Sequence, residues 1–250
     1  MRLSMRMSYG KLNVAVERLA RVFWRTVTIM AVLIGTILGT ILMADSALAQ
    51  TPSAAPAKPV KLVFLGDSLT AGYGLPANAA FPVRLQQALR GKGIDVEIVN
   101  AGVSGDTTSG GRDRLDWSVP PDTAAVIVEL GANDALRGVD PKVSRAALDE
   151  ILTKLKARNI AVLLCGMLAP PNYGADYAQA FNALYPELAK KHDVPLYPFF
   201  LDGVAGKVDL NQPDGMHPTA AGVDVIVGRI LPTVETFLRG LGTRQSAARP

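Results

Sequence analysis

Five short apolar runs recur between residues 60 and 200, each separated from the next by a stretch with helical spacing. They are VKLVFL ending at Leu65, DVEIVN ending at Asn100, AAVIVEL ending at Leu130, IAVLLCGM ending at Met167 and VPLYPFF ending near Phe200. Runs of this length, rich in Val, Ile, Leu and Phe, predict strands. The middle ones lack polar alternation, which predicts strands covered on both faces. Between them, helices are expected from Phe81 to Arg90, Thr108 to Trp117, Ser144 to Arg158 and Ala175 to Lys191, with a last one from about Ala220 to Arg239. Ala147, Leu148, Ile151, Leu152 and Leu155 fall three, four and seven apart and make one apolar stripe. Strands alternating with helices predict right-handed crossovers and a parallel sheet of five strands, a three-layer α/β/α sandwich. Ligands of such sheets bind beyond the carboxyl ends of the strands. Each polar residue can therefore be sorted by whether it follows a strand or precedes one.

The chain of 250 residues carries a net charge of +4, with 49% hydrophobic and 19% charged residues, enough apolar material for a real core. The charge is localised. Arg2, Arg6, Lys11, Arg18, Arg21 and Arg25 face only Glu17 and Asp45 within residues 1–49; removing these six of 26 basic and two of 22 acidic residues leaves twenty of each. The remainder has no cationic excess, so a nucleic-acid partner is not expected. Residues 1–49 read as an export signal: a basic segment ends at Arg25, Thr26 to Ala44 is uncharged, and Ala47 to Ala49 offers small residues for cleavage. The competing reading is an uncleaved anchor, because the uncharged stretch approaches a spanning length. Met5 or Met7 would serve equally as a start. Both readings put the domain outside the cytoplasm, in the periplasm for the cleaved form. Residues 50–59 are a Pro/Ala-rich linker, residues 60–240 the domain, and residues 241–250 a disordered tail. Cys165 is the one cysteine and excludes an internal disulfide.

Four polar clusters follow strands: Ser68 in GDSL, NAGVSG from Asn100 to Gly105, GAND from Gly131 to Asp134, and DGMH from Asp214 to His217. All are expected on one edge of the sheet. There are two histidines. His192 ends a helix and precedes a strand, which places it on the opposite edge, solvated at a helix C-terminus. His217 lies on the polar edge, with Asp214 three residues away and able to reach its ring. Nucleophilic acyl chemistry needs a nucleophile, a base, an orienter for the base and donors for an oxyanion. Ser68, His217 and Asp214 fit the first three roles. The backbone at Ser68 and Gly105 and the side chain of Asn133 fit the last.

These residues carry a resemblance. FLGDSLTAGYG, NAGVSGDTTSGG, VELGANDALRG and DGMHP are similar to the ordered blocks of SGNH/GDSL hydrolases, and most to the thioesterase I, lysophospholipase and arylesterase branch. APPNYG from Ala169 to Gly174 and VPLYPFF also resemble that branch, so the similarity spans Val60 to about Leu238. It implies a flavodoxin-like sheet, a catalytic Ser68, Asp214 and His217, and an oxyanion hole of Ser68, Gly105 and Asn133. It also implies no cofactor, no metal and a broad range of esters and thioesters. Ala132 stands where many relatives carry a second glycine. By the same resemblance the segment Ala135 to Asp140 contacts the acyl chain and the Pro-Pro-Asn-Tyr-Gly loop walls its other side. Asp67, Leu136, Pro171, Asn172 and Tyr173 are thus expected to bind substrate. The expected partner is a small ester, thioester or lysophospholipid, met by a monomer with transient contact to membrane lipid.

Two other readings stay open on the residues alone: a carbohydrate O-acetylesterase of the cell envelope using the same groups, and a non-catalytic binding module on a hydrolase scaffold. Several features point elsewhere more weakly. GYGLPA from Gly72 is a late, Pro-interrupted match to a dinucleotide fingerprint and reads as a flexible rim. Cys165 reads as core packing. Asp106, Asp113 and Asp116 read as helix caps and solvated faces, since two distant histidines cannot complete a zinc site.

Overall fold

The computed structural model describes residues 16–31 and 59–247. They belong to two compact units, residues 1–57 and 58–250. In the first, residues 16–31 form helix α1, exposed throughout. Most of the uncharged stretch from Thr26 to Ala44, the cleavage motif and all of the linker but Pro59 lie outside the described residues. Among the described residues no helix is long and apolar enough to cross a membrane.

The second unit is built on a parallel sheet of β1 (Val60–Gly66), β2 (Val96–Gly102), β3 (Ala125–Glu129), β4 (Ala161–Cys165) and β5 (Leu196–Tyr197), in the order β2-β1-β3-β4-β5. Leu62 to Leu65, all of β3 and all but the first residue of β4 are buried, because helices cover both faces. β2 is an edge strand and only partly buried. β5 keeps just two residues of the expected run, since Pro195 and Pro198 flank it and supply no N–H to a ladder.

The helices are α2 (Ser68–Ala71), α3 (Phe81–Gly91), α4 (Thr108–Asp113), α5 (Leu115–Ser118), α6 (Ala132–Leu136), α7 (Pro141–Ala157), α8 (Ala175–His192) and α9 (Ala220–Ala247). α7 shows how sequence sets an element. The Asp140 side chain accepts the Lys142 N–H, Pro141 opens the first turn, and the stripe from Ala147 to Leu155 is buried. The expected helix from Thr108 to Trp117 divides at Arg114, whose side chain turns inward instead of to solvent. α9 overruns the expected boundary: residues 241–247 are helical rather than a disordered tail. Gly240 and Gly242 do not end it, and Leu241 packs on the core.

The strand order turns back at β1, which pairs with β2 on one side and β3 on the other. Register aligns Gly66 with Gly102 and with Glu129, so the strands next to this switch point end at a common level. A crevice forms there because successive connections leave toward opposite faces.

Candidate active site

Ser68 opens α2 one residue after the end of β1, with Asp67 between them. Asp67 caps that short helix by accepting the Leu69 N–H at 3.0 Å, and Gly72 closes it in the left-handed region at φ +80°. Ser68 is thereby held at a strand-to-helix turn, largely buried, with its Oγ 2.8 Å from His217 Nε2. His217 Nδ1 lies 2.6 Å from Asp214 Oδ2. The other carboxylate oxygen of Asp214 accepts the N–H groups of Met216 and His217, at 2.9 and 3.0 Å. These bonds hold the Asp214 carboxyl down to about 2, the two backbone N–H groups first and the imidazole after them. Three residues from the two ends of the domain therefore form one hydrogen-bonded row. Tyr73 packs on the imidazole, ring centroids 4.6 Å apart, and Gln212 ties the Tyr73 carbonyl to the same loop.

The donors lie on two neighbouring segments. Gly105 sits at φ +82° in the turn closed by the Asp106 N–H to Val103 carbonyl bond, and Arg137 Nη2 holds its carbonyl at 2.9 Å. Among the described residues no acceptor takes the backbone N–H of Ser68 or Gly105. Asn133 is different. Its amide donates to the Asp106 carbonyl at 2.9 Å and to Asp67 Oδ2 at 3.2 Å, so its hydrogens are engaged at rest. Ser68, Asn133 and His217 line a cleft of about 620 Å³ whose walls are otherwise mostly apolar: Leu69, Leu136, Met167, Leu168, Phe199 and Met216 among them. That size and lining suit a small apolar ligand. A larger cavity of about 780 Å³ lies at the opposite edge around His192 and Val194, remote from Ser68.

Residues 64–225 match the GDSL-like lipase/acylhydrolase family. The chain belongs to that family. It is 36% identical over 209 residues to esterase TesA of Pseudomonas aeruginosa, covering 83% of this chain and 99% of that one. It is 45% identical over 158 residues to thioesterase 1/protease 1/lysophospholipase L1 of Escherichia coli K12, covering 63% and 74%. Among solved structures it resembles AlinE4, an SGNH-hydrolase family esterase, at 46% identity and a TM-score of 0.62, over 73% of this chain and 98% of that one. This family member is thus an ester or thioester hydrolase with the SGNH fold.

The expected substrate-binding residues are not equivalent. Leu136 and Pro171 line the cleft. Tyr173 is outside its lining; its hydroxyl donates to the Leu136 carbonyl at 3.0 Å, and its ring leaves no room for a side chain at Gly138, so it braces the Leu136 segment. Asn172 is exposed on the same loop, also outside the lining. Asp67 is corrected outright: it is fully buried beneath Ser68, engaged by Leu69 and Asn133, and beyond a ligand's reach. His192 does lie at the opposite edge, but it is buried rather than solvated, with Nε2 2.6 Å from Asp149 Oδ1. Asp106 is neither cap nor solvated: Thr107 caps α4, and Asp106 pairs with the buried Arg114 at 2.7 Å. Among the described residues no cluster of His, Cys, Asp or Glu could hold a metal ion.

The residue that sequence reasoning missed is Glu129, the last residue of β3, completely buried one strand away from Gly66. Its signal was present: a charged residue inside VIVEL breaks an otherwise apolar run. Burial pushes its carboxyl well above the ordinary value, and Asp67 adds to the rise. Burial likewise raises Asp67, against the pull of the Leu69 N–H and the His217 ring.

Proposed function

We propose that this hydrolase cleaves acyl esters and thioesters by double displacement through a covalent acyl-serine. Ser68 Oγ attacks the carbonyl carbon as its proton passes to His217 Nε2. Asp214, ionised and fixed by two backbone N–H groups, keeps the other ring nitrogen protonated and stabilises the imidazolium. The tetrahedral oxyanion takes the free N–H groups of Ser68 and Gly105. Asn133 joins them by releasing Asp67, the longer of its two bonds. Collapse of the intermediate breaks the carbonyl bond to the alcohol or thiol, which leaves with the proton from His217. Water then attacks the acyl-serine, gives a proton to Nε2, and the acid departs as Ser68 Oγ recovers that proton.

One observation carries this reading: a serine hydroxyl 2.8 Å from an imidazole that is itself 2.6 Å from a carboxylate, on the wall of an apolar cleft. The apolar lining favours fatty-acyl over acetyl substrates. The deciding experiment is a series of p-nitrophenyl esters from acetate to palmitate, with an acyl-thioester beside them. Turnover rising with chain length supports the proposal. Turnover of acetate alone would favour a glycan deacetylase, and tight binding without turnover a binding module. The basic leader and the small residues ending at Ala49 support export, which N-terminal sequencing of the mature protein tests.

A further inference from the structure

Beneath Ser68 lies a polar cluster that the proposed chemistry does not use. Glu129 Oε2 accepts the Thr70 hydroxyl at 2.6 Å and the Asp67 N–H at 3.4 Å, and all three residues are fully buried. Asp67 and Thr70 flank the nucleophile, one on each side. Gly66 records the same contact. A Cβ there would stand 2.6 Å from Glu129 Oε2 and closer still to Thr70 Oγ1, so the pair packs directly over its Cα. Helix α2 has only four residues, and Leu69 is its one side chain in the hydrophobic core. A helix this short is marginal without outside support.

We propose that Glu129 is a positioning residue for the nucleophile turn, holding both flanks of Ser68 from β3 and so fixing where its hydroxyl and its N–H point. The inference rests on the serine-hydrolase reading and adds to it a residue that never touches substrate.

Glu129 does this as a neutral acid. No cation contacts it among the described residues. Facing it are Asp67 from the turn and Cys165 from the adjacent position of β4; Tyr185 from α8 commits its hydroxyl to the Leu130 carbonyl. The nearby Arg114 reaches the Gly66 carbonyl but is paired with Asp106. Of the two buried carboxyls, Asp67 accepts from Leu69 and from Asn133. Those bonds engage both Asp67 oxygens, whereas Glu129 accepts from the Thr70 hydroxyl and from the N–H groups of Asp67 and Thr70 while its Oε1 has no partner. Asp67, bonded on both oxygens and within the pull of the His217 ring, keeps the negative charge and Glu129 keeps the proton. Neutrality also serves catalysis, because a second charge under the turn would oppose the oxyanion forming at the Ser68 N–H.

The test compares the full-length wild type with Ser68→Ala, Glu129→Gln, Glu129→Ala and Thr70→Val on p-nitrophenyl butyrate, reading kcat and KM across pH. Glu129→Gln keeps the acceptor oxygen and the neutral charge, and should retain kcat within about threefold with the wild-type pH profile. Glu129→Ala and Thr70→Val should lower kcat by about 10–100-fold while KM stays near wild type, the mark of a displaced nucleophile rather than lost binding. An infrared carboxylic-acid band present in the wild type and missing in Glu129→Gln identifies the proton directly. The inference is overturned if Glu129→Gln is as impaired as Glu129→Ala, or if Thr70→Val keeps wild-type kcat. Should Glu129→Ala fail to fold, those two variants decide alone. An active Ser68→Ala would instead overturn the hydrolase mechanism itself, a separate outcome.

Discussion

Arg114 offers the sharpest test of how the site is held. Its guanidinium is nearly inaccessible and makes four bonds: Nε to Asp106 at 2.7 Å, Nη1 to the Ala101 carbonyl at 2.8 Å and to Ser118 at 3.0 Å, and Nη2 to the Gly66 carbonyl at 2.8 Å. One side chain thus joins the end of β1, the end of β2 and the loop that carries Gly105. Arg114→Met fills much of the same volume but leaves Asp106, whose side chain is only 13% exposed, without its counter-charge. Removing one partner of a buried pair costs about 3–5 kcal/mol. Two carbonyls also lose their donor, so the upper half of that range is expected. For a domain of this size the loss lowers the melting temperature by about 8–20 °C. The accompanying Asp106→Asn change removes the stranded charge and should restore about 1–3 kcal/mol, since contacting residues do not behave additively. Urea denaturation of wild type, both single variants and the double variant measures this coupling. Because the Asp106 carbonyl also receives the Asn133 amide, kcat should fall below the denaturation range as well. A loss under about 1 kcal/mol, or single-variant effects that simply add, would refute the claim that Arg114 is a buried clamp and not an incidental surface pair.

Asp214→Asn should lower kcat by about 10⁴-fold with the fold intact, because a neutral amide no longer selects the ring tautomer. The wild-type Asp214 carboxyl lies below its unfolded value, so its contribution to stability is present above about pH 4 and lost as pH falls toward about 2; unfolding curves of the Asn variant should lack that acid dependence. Glu129 has the opposite sign. Its raised carboxyl makes the native state hold a proton that the unfolded chain releases, so its contribution is present below the unfolded value of 4.5 and declines by about 1.4 kcal/mol per pH unit above it. Urea midpoints should therefore fall with pH in the wild type and stay flatter in Glu129→Gln. Gly66→Ala should cost about 1–3 kcal/mol by overpacking and lower kcat, since its Cβ collides with Thr70 and Glu129. His192→Ala should leave kcat within about twofold of wild type and remove about 1 kcal/mol of stability with its Asp149 bond. A large catalytic loss there would overturn the assignment of the two sheet edges.

Strand and helix placement along the chain were legible because each run's period reports how many of its faces are covered, a local property; the order of strands in the sheet is not such a property. Even the separation of His192 from His217 followed from counting strands. Boundaries were less legible. β5 shrank between two prolines, the helix after Thr108 divided at Arg114, and α9 ran on through its glycines because Leu241 still found the core. Asp134 shows the limit for polar residues. It reads as one letter of GAND, yet it is fully buried and accepts from Thr108 and Ser144, tying the starts of α4 and α7 together. Asp67 is expected from the resemblance to bind substrate, and only its burial shows that it lies beneath Ser68 instead.

The sequence alone determined the architecture and the edge on which the polar clusters meet, and it singled out the serine, imidazole and carboxylate proposed for the chemistry, because periodicity and order along the chain encode which side of a parallel sheet a residue reaches. Tertiary structure decided which carboxyls are buried, which amide hydrogens are free and which apolar side chains wall the cleft. Those properties depend on solvent exclusion and on partners brought together from distant segments, and no spacing along the chain records either.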